Sequence, residues 1–137
     1  MLARRQRTVL RLLVEYLLLT LPVLIYVGLE AVHHDSAMYV VKSPEWSVAT
    51  MFVSLQTYRL HMEQNRKSGA GYRLGDVLVI LLVVVVVAAA INAFLALNAE
   101  RPSWTLIGIK WALFGLATVS FVYIAGAAFY KVEETDE

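Results

Sequence analysis

From Leu74 to Leu97 the chain carries one carboxylate, Asp76, near the start, and one amide, Asn92; every other side chain is apolar or absent. The centre of this run, Val77 to Val87, is built only of Val, Leu and Ile. In water such a run would have to be a buried strand of a length seldom seen. A helix that crosses a bilayer needs about 20 apolar residues, which this run supplies. Valine is a mediocre helix former, but hydrocarbon leaves the backbone no partner except itself, and that overrides weak propensity. The composition agrees. Of 137 residues, 59% are hydrophobic, against about 45–50% in soluble domains, and the mean hydropathy is +0.63.

The pattern predicts an all-α integral membrane protein of one domain, 1–137, with four transmembrane helices at about 8–31, 44–62, 74–97 and 104–130. Pro22 should kink the first by removing a backbone hydrogen bond. Ser43, Pro44 and Glu45 form an opening for the second, as N-cap, first helical residue and first-turn acid. Pro102 and Ser103 open the fourth. Only about 15 residues of the second span are apolar, enough for roughly 22 Å of a ~30 Å hydrocarbon core. That span must be sheltered by its neighbours or thin the bilayer around it.

Basic residues set the orientation. Arg4, Arg5, Arg7 and Arg11 precede or begin the first span, and Arg59, Arg66, Lys67 and Arg73 lie between the second and third. The other two loops hold only Lys42 and Arg101. With four spans both basic blocks fall on one side, which the positive-inside rule makes cytoplasmic, with both termini there, in a cell (inner) membrane. Trp46 and Trp104 are expected at the outer interface and Tyr130 near the inner one.

The second span carries Ser47, Thr50, Ser54, Thr57, His61, Gln64 and Ser68, separated alternately by three and four residues. That rhythm holds all of them on one helix face. The face must meet another helix, another copy of the chain or a hydrated route. A second stripe on the fourth span, Gly108, Ala112, Gly115, Val119, Val122 and Gly126, lets backbones approach closely and is expected to pack, within the protomer or between protomers. Glu15, Asn92 and Lys110 are charged or polar inside spans, where such groups are costly. Arg11 is one turn from Glu15. Lys110 is expected to snorkel or to pair with Glu30, Asp35 or Glu45, and Asn92 to bond across helices.

The formal charge of +1 and the scattered basic blocks offer no nucleic-acid surface. The chain has no cysteine, hence no thiol chemistry or disulfide. The sequence has no phosphate-binding glycine loop, His-Glu-x-x-His or Gly-x-Ser-x-Gly, so no enzyme and no cofactor are expected. His33, His34 and Asp35 lack a further ligand at metal-binding spacing and read as a solvated, titratable loop. No cleavable signal peptide is expected, since the first apolar run is long and contains Glu15.

Four short spans with Glu15 in the first resemble the small multidrug-resistance transporters. The likeness is confined to span number and that carboxylate, which here lies shallow, beside Val14, Tyr16 and Leu17. It implies a proton-coupled transporter working through Glu15. The leading reading from the residues is different: a homo-oligomeric bundle that conducts or regulates permeability, with Ser47, Thr50, Ser54, Thr57 and His61 along the route. A scaffold is the alternative. There Arg59, Arg66, Lys67 and Arg73 would hold a cytosolic partner protein, for instance in a bacterial stress or phage-defence system, or anionic lipid headgroups.

Overall fold

The computed structural model describes residues 3–68, 73–98 and 103–135. They form α1 (Arg4–His33), α2 (Met38–Lys42), α3 (Glu45–Ser68), α4 (Arg73–Asn98) and α5 (Trp104–Thr135), with no strand among them.

α1 starts earlier than the apolar pattern indicates. Its first turn holds arginines and no acid, an unfavourable placement at the positive end of a helix dipole. Arg4 is compensated from α5. Its guanidinium meets the Glu134 carboxylate at 3.2 Å, donates to the Tyr130 carbonyl oxygen at 2.9 Å and lies 3.8 Å from the Tyr130 ring centroid. Arg11 lies over the Phe129 ring at 4.5 Å. The start of α1 and the end of α5 are thereby held together. The helix runs on through Pro22. It ends in a left-handed turn: Asp35 has φ 49°, the Ser36 N–H reaches the Ala31 carbonyl, and the Asp35 N–H reaches that of Val32. This is the pattern that terminates many helices, with aspartate where glycine is commonest.

The connection after the first span, expected as a loop, contains α2. Its Val40 packs against the Val23, Val27, Trp46 and Ala49 side chains, and the Lys42 ammonium lies 5.4 Å from the Trp104 ring centroid. α3 begins at Glu45, one residue later than expected. The Ser43 hydroxyl donates to the Glu45 carboxylate instead of accepting from the helix backbone.

α3 packs most extensively on α5 and α4, and α1 also packs on α3 and α5. Two apolar clusters fill the space between. One joins Val53, Val85, Ala117, Phe121, Ala125 and Phe129. The other joins Val23, Val27, Trp46 and Ala49. Alanine at 49, 89, 117 and 125, each at most 1% exposed, lets the helices close on one another. α1, α4 and α5 turn long rows of Leu, Val, Ile and Phe outward.

Among the described residues, three helices are long and apolar enough to cross a membrane: α1, the Val79–Asn98 part of α4, and the Trp104–Lys131 part of α5. α3 is not one of the three, because its inward face is polar. Its outward face is apolar, with Val48, Phe52, Leu55 and Met62 exposed. α3 is therefore built inside out relative to a helix of a water-soluble domain.

Candidate functional site

Ser47, Thr50, Ser54, Thr57 and His61 form a seam inside the bundle, and none is more than 8% exposed. Gln64 continues it half-buried. The sequence allowed this face to line a route between copies of the chain. Instead α1, α4 and α5 of the same chain enclose it. The two threonines satisfy their hydroxyls locally: Thr50 Oγ1 donates to the Trp46 carbonyl at 2.9 Å and Thr57 Oγ1 to that of Val53 at 2.7 Å. Such back-bonding to the preceding turn is what lets hydroxyl residues live in apolar helices. The hydroxyls of Ser47 and Ser54 are as buried and have no hydrogen-bond partner.

At the Ser47 end of the seam stands Lys110, which is 2% exposed. It neither snorkels nor forms a carboxylate salt bridge with Glu30, Asp35 or Glu45. Its Nζ donates to the Val41 carbonyl at 2.7 Å and to the Ser43 carbonyl at 2.8 Å. The physical reason is α2: a helix leaves its last carbonyls unpaired, and here they point at the ammonium. Trp111 Nε1 adds a bond to the Val41 carbonyl at 3.0 Å, and Trp46 Nε1 one to that of Val40 at 2.6 Å. Trp46 is buried rather than placed in an interfacial belt, with its ring 5.0 Å from that of Trp111 and 5.3 Å from that of Phe114. Trp104 is exposed. Tyr39 lies beside this latch. Partial burial first, then the nearby carboxylates of Glu45 and Glu30, push its phenol above the ordinary value.

Other polar groups are held singly. Asn92 Nδ2 donates from α4 to the Leu106 carbonyl of α5 at 3.0 Å. Ser120 bonds back to the Leu116 carbonyl, and the Tyr16 and Thr118 hydroxyls meet at 2.8 Å. Glu15 is half-buried on α1. His34 meets Glu30 at 3.3 Å and stacks on Tyr39 at 5.0 Å. No group of three or more metal-ligand side chains gathers among the described residues.

The small-residue stripe on α5 does not pack within the protomer along most of its length. Gly108, Ala112, Gly115, Val119 and Val122 are exposed, and a Cβ at Gly108 or Gly115 would meet nothing within 4 Å. Only at Gly126 would it touch a neighbour, Leu12 Cδ1 at 3.4 Å. Arg59 is exposed on α3. The side chains of Arg66, Lys67 and Arg73 lie outside the described residues.

The sequence does not reveal the latch, because its acceptors are main-chain carbonyls; the row Trp111, Phe114, Ala117, Phe121, Ala125 and Phe129 at helical spacing marks only the inward face of α5 on which Trp111 sits. Chemically, the seam offers the unspent hydroxyl donors of Ser47 and Ser54, threonine oxygens with lone pairs to accept, and one fixed cation at its Ser47 end. Comparison with protein-family models, curated proteins and solved structures finds no match to this chain.

Proposed function

We propose that the chain is a four-span protein of the cell (inner) membrane, with both ends cytoplasmic, that assembles as a homo-oligomer and conducts or regulates the passage of small polar species through the α3 seam. What carries the topology is the meeting of the chain ends. An odd number of crossings would put Arg4 and Glu134 on opposite faces of the bilayer, yet they pair at 3.2 Å. α3 then has to cross with the three apolar helices. Its 24 residues are about 36 Å long, but the part before Arg59 is short of the ~30 Å core, so its neighbours shelter it or the bilayer thins around it. Its apolar side would meet lipid while its hydroxyls stay covered. The basic blocks supply the cytoplasmic assignment.

The absence of cysteine makes the test direct. Single cysteines at Gln6, Asp35 and Thr135 should report the sides of the membrane in intact cells. An impermeant maleimide is expected to label Asp35→Cys from outside and the other two only after lysis. Labelling of Gln6→Cys and Thr135→Cys from opposite sides would end the four-span reading. Removal of the seam hydroxyls by the near-isosteric pair Thr50→Val and Ser54→Ala is expected to abolish bilayer currents. Unchanged currents eliminate the seam as the route.

Assembly is assigned to the open face of α5. In hydrocarbon, association depends on backbone approach and dispersion rather than on expulsion of water. Gly108, Ala112 and Gly115 offer such an approach and the protomer does not use it. Gly115→Leu is expected to reduce the assembly to single chains in detergent, measured by light scattering, with helix content unchanged because the new side chain enters open space. An unaltered mass would place the interface elsewhere.

A further inference from the structure

We propose that Ser47 and Ser54 each bind a water molecule inside the bundle, making the α3 seam a hydrated column within one chain. This deepens the conduction reading by naming what occupies the route, and it rests on the two orphaned hydroxyls. Both residues are 1% exposed, and neither Oγ has a partner in the protein. The threonines on the same face have spent their protons on the carbonyls of Trp46 and Val53. Ser47 makes no such bond; the Ser43 carbonyl four residues back accepts from the Lys110 ammonium at 2.8 Å. A buried hydroxyl without a partner is costly, and folded proteins fill such places with water when two or more polar groups are in reach.

The spacing supplies those groups. Along a helix, Ser47 to Thr50 and Ser54 to Thr57 are each about 4.5 Å of rise, and Thr50 to Ser54 about 6 Å. A water bonded to two oxygens at ~2.8 Å each spans up to about 5.6 Å, close to one such step. The chemistry alternates in the same register. Each serine has a proton to give, and each threonine oxygen keeps lone pairs to accept. A water between them donates to one and accepts from the other. The site takes water, and the column runs from beside the Lys110 latch towards His61.

The test uses the full chain in liposomes of phosphatidylethanolamine and phosphatidylglycerol, by water-edited solid-state NMR. Magnetisation from water is expected to reach Ser47 and Ser54 several-fold faster than the equally buried Val53 and Val85, which bond no water. In the double variant Ser47→Ala, Ser54→Ala, transfer to Thr50 should slow to the valine rate while the remaining spectrum stays in place. Build-up at Ser47 and Ser54 as slow as at Val53 and Val85 overturns the proposal. Ion flux measured on the same liposomes judges the other reading separately. Fast transfer without flux upholds the internal water and removes conduction; flux with slow transfer removes the water and puts the route elsewhere.

Discussion

Lys110→Leu is expected to lower the stability of the folded chain by about 3 kcal/mol, seen as an earlier midpoint in a denaturant titration of the detergent-solubilised protein. The ammonium makes two short bonds, to the carbonyls of Val41 and Ser43. Bonds to a charged group contribute about 1.5–3 kcal/mol each. Leucine matches the bulk of the alkyl chain and removes both. Val41 keeps the bond from Trp111 Nε1, whereas the Ser43 carbonyl loses the ammonium bond, a loss of about 1–3 kcal/mol if it stays buried. Against this, leucine spares the desolvation of a buried charge, which is why the net is set at the low end of the roughly 3–6 kcal/mol that two such bonds would contribute. Trp111→Phe is the control. It keeps the stacking with Trp46 and removes a single neutral donor, so about 1 kcal/mol is expected. A Lys110→Leu protein as stable as the parent would mean that the latch holds nothing.

Phe121→Ala is expected to cost about 2.5 kcal/mol. Phe121 is fully buried, packs with Val53, Val85, Ala117, Ala125 and Phe129, and has the Tyr16 ring at 5.7 Å. In a soluble core this change costs about 3–5 kcal/mol, from lost transfer energy and the cavity together. In a membrane the transfer part shrinks, because acyl chains receive a phenyl ring as well as the protein interior does. The cavity part remains: about 100 Å³ at ~24 cal/mol per Å³ is roughly 2.4 kcal/mol. The same titration measures it. A loss below about 1 kcal/mol would show that the α3–α5 contact closes over the gap.

Much of the architecture is readable in the residues because lipid imposes a simple rule: apolar side chains outward, every backbone group bonded internally. The Val77–Val87 run and the alternating polar stripe need nothing else to be placed on helices. The stripe's partner is harder. Periodicity shows that Ser47 to His61 share a face, but whether that face meets α4 and α5 or another copy depends on tertiary packing. Lys110 stands out in the sequence as costly, yet its partners are main-chain carbonyls, which every residue owns and no side-chain pattern reveals. The small-residue stripe on α5 is legible as smooth, but smoothness does not say who approaches. Trp46, near a span end, reads as interfacial; the ring turns inward because Val40, Trp111 and Phe114 offer it a carbonyl and two aromatic faces.

The covered face of α3 also constrains the order of birth. Synthesis delivers α3 before α4 and α5 exist, so at that moment only α1 is available to shield its hydroxyls. Release from the insertion machinery into the bilayer would expose them to acyl chains. If α3 crosses as proposed, it has to linger beside that machinery until α4 and α5 emerge, or enter the bilayer already paired with one of them. On that four-span reading, membrane entry and folding are a single event.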